Sequence, residues 1–264
     1  MTKSHYDIFY CLFLQAKFGN KLFIIKPYIF NKFPEITCGF TTKIGLERKE
    51  PYFFNISFAV GDDEKIVEEN RSALFSSMKL DGFRIHFQKQ THSDIVRIVN
   101  SDSVPEESDA MICSESKNAL VIISADCTSV FIFDSVNKII AAVHSGWRGT
   151  QKRILEKTLN FLFDKFNSSS KDLFVYMGPS ISQANYQIGD EVVELFESKY
   201  LLKIENKTYL DVSLANYDML VDYGVPKNQI QKSTICTYEM NELFHSYRRD
   251  GEKSGRSLGV IALK

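Results

Sequence analysis

Residues 130–143 read VFIFDSVNKIIAAV, and the fold is decided by how this stretch is read. Two apolar runs, Val130–Phe133 and Lys138–Val143, flank Asp134-Ser135-Val136-Asn137. Asp, Ser and Asn favour tight turns because their short side chains hydrogen-bond the local backbone, so the stretch predicts a β-hairpin. Working outward, other short apolar runs bounded by turn residues predict strands at Ile36–Thr41, Arg84–Phe87, Ile95–Val99, Ala119–Ser124, Leu173–Met177, Ser233–Cys236 and Leu258–Leu263. Helical spacing is rarer. Asp62-Asp63 can cap a helix reaching Met78, with Ile66, Val67, Asn70, Leu74 and Phe75 at helical intervals. Thr150–Phe166, Gly189–Lys199 and Asp211–Tyr223 read the same way, the last stopping before Gly224 and Pro226. Strands outnumber helices and do not alternate with them. The pattern predicts an α+β fold, with packed sheets and helices outside, rather than a doubly wound parallel sheet.

The 264 residues suffice for one large domain, and the longest linker-like segment, Asn167-Ser168-Ser169-Ser170, is short enough to be a surface turn. A single domain over residues 1–264 is expected. Hydrophobic residues make up 44% and charged residues 25%, the usual balance of a chain that buries its own core. Lys and Arg number 32 against 33 Asp and Glu, which argues against a general nucleic-acid binder. No stretch approaches the length of an apolar membrane span. The run Ile8–Leu14 behind Lys3 is short for a leader core, and no small-x-small cleavage site follows it. Five cysteines, Cys11, Cys38, Cys113, Cys127 and Cys236, are scattered without a C-x-x-C pair, so a reducing, cytoplasmic setting is expected.

Three chemically capable residues share one kind of placement. Cys127 follows the apolar run that ends at Ser124. His144 follows the run that ends at Val143. His92 sits in a polar break, Gln90-Thr91-His92-Ser93, between two expected strands. Polar groups at strand ends can converge on a cleft. Two imidazoles and a thiolate suit a zinc ion that keeps a fourth position open. The same set suits a Cys–His nucleophile pair, or a buried thiol beside two hydrogen-bonded histidines. The gaps of 35 and 17 residues match no standard zinc spacing, so spacing leaves all three open. Gly146-Trp147-Arg148-Gly149 sets the sole tryptophan beside an arginine, between glycines that let backbone approach a ligand. Arg248, Arg249 and Arg256 bring three guanidinium forks close together, suited to phosphate or carboxylate or to a solvated charged hairpin.

Taken in order, Gln90-x-His92-Ser93, Asp109-Ala110, Ala125-Asp126-Cys127, His144-Ser145-Gly146-Trp147-Arg148-Gly149, Gly178-Pro179-x-Ile181, Tyr186-x-Ile188-Gly189 and Ser246-Tyr247-Arg248-Arg249-Asp250 resemble the laccase-domain, or YfiH-type, family. Asn55 and the Gly61-Asp62-Asp63…Glu69-Asn70-Arg71 stretch are also similar to it, and the likeness runs from about Ile36 to Leu263. Once described as polyphenol oxidases, these proteins are now described as purine nucleoside phosphorylases with adenosine deaminase and methylthioadenosine phosphorylase activity. The resemblance implies one domain of four layers, helix–sheet–sheet–helix. It implies a catalytic zinc, with copper as the alternative, on His92, Cys127 and His144. It places Asn55, Arg71, Gln90, Asp126 and Arg148 at the substrate, with Arg71 and Arg148 for phosphate. The partners implied are a small nucleoside and phosphate, not nucleic acid or membrane; monomer and homodimer both stay open. Two departures touch the pocket: Thr42-Lys43-Ile44-Gly45 stands where the family often has Thr-Arg-x-Gly-Gly, and Gln187 stands where many members have Glu. Beside this reading stand a hydrolase of amide or cell-wall substrates (Cys127 attacking, His144 as base), a copper phenol oxidase and a non-catalytic metal binder. With only five histidines and no His-x-His pair, the oxidase is the weakest of these.

Overall fold

In the hairpin at the centre of the molecule, Asp134 Oδ1 accepts from the backbone N–H of Val136 and Asn137 and closes the turn. Its arms, Thr128–Asp134 and Ile139–Ser145, are buried along their whole length. The structure is a computed structural model that describes residues 21–264 in full and residues 11–15 as backbone; the apolar run Ile8–Leu14 begins outside the described residues. The chain passes through β1 (Cys11–Gln15), β2 (Lys21–Ile25), β3 (Ile36–Thr41), α1 (Glu64–Ser77), β4 (Arg84–His86), β5 (Val96–Ile98), β6 (Ala110–Cys113) and β7 (Asn118–Ser124). The hairpin is β8 and β9, followed by α2 (Trp147–Gln151), α3 (Ile154–Phe166), β10 (Leu173–Met177), β11 (Gln187–Ile188) and α4 (Asp190–Val193). Then come β12 (Leu201–Ile204), β13 (Lys207–Leu210), α5 (Val212–Asp222), β14 (Ile230–Lys232), α6 (Tyr247–Asp250) and β15 (Ser257–Leu263).

These strands form two six-stranded sheets, β1-β2-β3-β15-β7-β4 and β14-β10-β8-β9-β6-β5, and a small third, β11-β13-β12. Successive side chains of a strand point to opposite faces, and that alternation writes the layers. From β8, Phe131 and Phe133 join the core between the large sheets, while Val130 and Ile132 pack with Leu155, Leu159 and Leu162 of α3 and Leu220 of α5. From β7, Leu120 and Ile122 face the inter-sheet core, while Ala119 and Val121 pack with Leu74 of α1. The order is therefore α1, first sheet, second sheet, then α3 with α5, the α+β sandwich expected from the sequence. A strand covered on both faces reads as a continuous apolar run, as β7, β8 and β9 do.

Three expectations change. The helix expected over Thr150–Phe166 is two helices, because Arg153 takes a left-handed backbone (φ 61°) between α2 and α3. Over Gly189–Lys199 only α4 forms. Val192 is buried there and Leu195 is exposed, and the chain turns to bring Tyr200 back to the same small core. The strand expected at Ser233–Cys236 is β14, just before it: Ser233 N–H still reaches Met177 O, then Ser233 Oγ accepts from Ile235 N–H and ends the ladder. Strands β6, β12 and β13 have no counterpart among the expected strands; in the β12–β13 hairpin Lys203, Lys207 and Thr208 interrupt the apolar residues.

Candidate metal centre

At one end of the sandwich the chain crosses repeatedly between the two large sheets. Residues 87–95 lead from β4 in the first sheet to β5 in the second, and carry His92. Residues 125–127 lead from β7 to β8 and carry Cys127. Residues 233–256 return from β14 to β15 and carry α6. His144 lies in β9, next to this edge. The strand-end placement read in the sequence is thus a set of sheet-to-sheet crossings.

The three expected ligands meet here. One ligand atom each from His92, Cys127 and His144 lies within 4.8 Å of the others. Cys127 Sγ stands 3.8 Å from His92 Nε2, and the imidazole centroids are 5.0 Å apart with planes at 69°. Two nitrogens and a thiolate suit zinc, and also copper. The backbone leaves room for such an ion: a Cβ on Gly146 would stand 2.8 Å from Cys127 Sγ and 3.1 Å from His92 Cδ2.

One carboxylate orients both histidines. Asp109, wholly buried, accepts the Nδ1–H of His144 at 2.7 Å, which leaves Nε2 of that ring to face the cluster. The same carboxylate accepts backbone N–H groups from Thr91, His92 and Ser93 and the Ser93 hydroxyl. His92 is held in a left-handed backbone, φ 57°, costly for a residue with a Cβ unless its surroundings fix it. Burial would raise the Asp109 carboxyl, but the His144 and Ser93 hydrogen bonds outweigh it and hold it at about 2. Burial also opposes ionisation of Cys127, and the neighbouring His144 and His92 bring its thiol down to about 6. His144, which burial would keep neutral, is raised to about 9 by Cys127 and Asp109.

The other expected residues divide. Arg148 is exposed beside the site, its guanidinium 4.3 Å from the Trp147 ring. Asp126, left-handed at φ 90°, turns away from the cluster. It accepts from Thr237 Oγ1, Ser246 Oγ and Arg248 N–H, fastening the 233–256 crossing to Cys127. Gln90 closes both ends of its amide on the backbone of Ile123. Asn55 is wholly buried, bonded to Ser57, Asp62 and the N–H of Arg256. Arg71 donates Nε–H to Ile56 O and lies between the rings of Phe58 and Phe87. Asp126, Gln90 and Asn55 thus build the walls and offer no free polar atom. Sequence reasoning missed the part played by Asp109. Its signals were the Asp109-Ala110 motif and an acid directly preceding the apolar residues of β6.

A family profile described as multi-copper polyphenol oxidoreductase laccase matches residues 37–264. The chain is 32% identical over 228 residues to a protein of Bacteroides thetaiotaomicron named purine nucleoside phosphorylase, covering 80% of this chain and 84% of that one. It is 29% identical over 248 residues to purine nucleoside phosphorylase YlmD of Bacillus subtilis, covering 87% and 89%. Two crystal structures share the fold. Hypothetical protein YfiH of Bacillus licheniformis has a TM-score of 0.84 at 29% identity, over 92% of this chain and 96% of that one. YlmD of Geobacillus stearothermophilus has 0.85 at 26%, with the same coverage. With a profile match over most of its length and the two-sheet sandwich of these structures, the chain belongs to the multi-copper polyphenol oxidoreductase laccase family.

Proposed function

We propose that this protein is a purine nucleoside phosphorylase that splits adenosine, inosine and methylthioadenosine with phosphate, deaminates adenosine as a side reaction, and uses zinc on His92, Cys127 and His144. Copper is the alternative ion. The observation that carries the reading is the meeting of these three side chains at one end of a chain about 30% identical to proteins named purine nucleoside phosphorylase. A site with three protein ligands leaves an open position, and the ion supplies Lewis acidity there. The chain's own residues do the rest. Asp109 keeps the proton of His144 on Nδ1. Trp147 and Tyr186, each partly buried against the small core at the third sheet, are the aromatic groups available to a purine. Phosphate, held by arginine, attacks ribose C1′ as the purine departs, and a proton donor stabilises the leaving base.

Inosine supplied with and without phosphate tests this. Ribose 1-phosphate is expected only with phosphate, and free ribose formed equally well in its absence replaces the phosphorylase with a nucleoside hydrolase. Running metal-free, zinc-loaded and copper-loaded protein against adenosine, inosine and a phenol separates the oxidase and the non-catalytic binder. The low thiol and raised imidazole favour one second reading, a hydrolase with Cys127 as nucleophile and His144 as base. Alkylation mapped by peptide mass spectrometry distinguishes the two. A zinc-committed Cys127 labels slowly until a chelator is added; a catalytic thiolate labels fast in the loaded protein, with activity lost in step.

A further inference from the structure

The arginines of this protein differ in what neutralises them. Arg48, Arg97, Arg153 and Arg249 each meet a carboxylate. Arg84 donates to Ser103 O, and Arg71 is fixed on Ile56 O between two phenylalanines. Arg148, Arg248 and Arg256 have no ion-pair partner among the described residues, and all three stand around Cys127.

Arg256 is the most deeply set. It immediately precedes β15, whose first residue, Ser257, pairs with Ser124 at the end of β7. Ser124 Oγ in turn donates to the carbonyl of Cys127 at 2.7 Å. Arg256 Nη1 donates to the carbonyls of Ser254 and Gly255 at 2.6 and 3.0 Å, and its backbone N–H donates to Asn55. The guanidinium is therefore held at one corner. Its Nε and Nη2, the pair of parallel donors that grips an oxyanion, have no acceptor among the described residues. Burial disfavours its charge, while Tyr247, whose ring centroid lies 5.3 Å from the guanidinium, and then Asp126 and Cys127 support it. Arg248 is tied by its backbone to Asp126 and lays its guanidinium 4.8 Å from the Tyr186 ring. Arg148 follows Trp147, one residue beyond Gly146, which touches Cys127. The Tyr186 phenol lies within the fields of Cys127, Arg248 and Arg148 together. A half-buried guanidinium and two exposed ones, none with an ion-pair partner among the described residues and all on segments beside Cys127 and Tyr186, make a place for a multiply charged anion.

We infer that Arg256, flanked by Arg248 and Arg148, forms an oxyanion subsite beside the His92–Cys127–His144 cluster that binds a phosphate group, with Arg256 replacing Arg71 as its anchor. That the anion is phosphate rests on the phosphorylase reading; the convergence of unpaired arginines does not.

The test uses zinc-loaded full-length protein. Inorganic phosphate is titrated while the emission of Trp147, the sole tryptophan, is followed, and ³¹P line width is read in parallel. Arg256→Gln should weaken phosphate binding by about tenfold or more, the effect of losing a charge-assisted hydrogen bond. It should raise KM for phosphate and leave KM for inosine in place. Arg256→Lys should restore only part, because an ammonium lacks the fork. Arg248→Gln, at an exposed side chain whose only other contacts among the described residues are one bond to Gln187 O and the Tyr186 ring, should weaken phosphate in the same sense. It keeps the question answerable if Arg256→Gln does not fold. Arg84→Gln removes the same charge elsewhere and should change nothing. Ribose 1-phosphate as competitor tells a sugar phosphate from free phosphate. Unchanged phosphate affinity in both Arg256→Gln and Arg248→Gln, or a loss seen with Arg71→Gln instead, overturns the subsite. Saturable phosphate binding that depends on Arg256, with no ribose 1-phosphate formed from any nucleoside, overturns the phosphorylase reading and leaves the subsite standing.

Discussion

The backbone at Gly146 is ordinary and extended (φ −73°, ψ 178°), so any residue could adopt it. What forbids a side chain is the Cys127 sulfur, 2.8 Å from where a Cβ would stand. Gly146→Ala should therefore cost metal affinity far more than fold stability, read as zinc per chain against the thermal midpoint. Asp109→Asn makes a complementary case. The amide sets an NH₂ group against donors from Thr91, His92, Ser93 and His144, and ligand orientation is lost. Zinc affinity should fall by about 10–100-fold in chelator competition, and a cobalt-loaded sample should show an altered visible spectrum. At this scale the sequence was informative about His92, Cys127 and His144, because strand ends can be read from apolar runs. It marked Asp109 only through the Asp109-Ala110 motif and not its role, which depends on five donors brought from two distant segments. Nor did it show that the amides of Asn55 and Gln90 are bonded within the fold, to Ser57, Asp62 and Arg256 and to Ile123.

Among the elements, those covered on both faces were the legible ones. The hairpin β8–β9, β7, β10 and β15 announce themselves as unbroken apolar runs, and α1 and α5 by an aspartate cap at their first turn. The break at Arg153, where the backbone turns left-handed, left no trace in the apolar spacing. β15 also shows how one small residue sets the spacing of the sheets. A Cβ on Gly259 would stand 2.8 Å from Phe131 Cε2 and 2.9 Å from Phe40 Cδ2, in the aromatic layer between them. Gly259→Ala should lower unfolding free energy by about 1–3 kcal/mol, as overpacking does. Adding Phe131→Leu should recover part of it, a coupling that a double-mutant cycle in urea would read.

For the whole molecule, acid is the condition to watch. His245 is buried and its imidazole is pushed down from 6.5 to about 3, first by burial and then by the cations Lys43, Arg256 and Arg249. The folded state keeps it neutral while the unfolded chain protonates near 6.5. Its stabilising contribution is complete above that pH and is lost as pH falls toward about 3, at a slope near ~1.4 kcal/mol per pH unit. Urea midpoints should thus decline from pH 6.5 downward, and His245→Phe should flatten that decline whatever its stability at neutral pH. Asp109 adds a second loss only lower, from about 3.8 toward 2. The position of β15 has a consequence for how the protein is made. It is an inner strand of the first sheet, between β3 and β7, yet it is translated after every other strand among the described residues. The second sheet, spanning residues 96–232, can be assembled on the ribosome while the first still lacks its middle. Until residues 257–263 emerge, the aromatic face of Phe131, Phe133 and Tyr176 has no complete sheet to close on it. Nascent chains should therefore be chaperone clients at that moment, and a chain stopped at Arg256 should accumulate as aggregate in a cell-free synthesis while one stopped at Lys264 stays in solution.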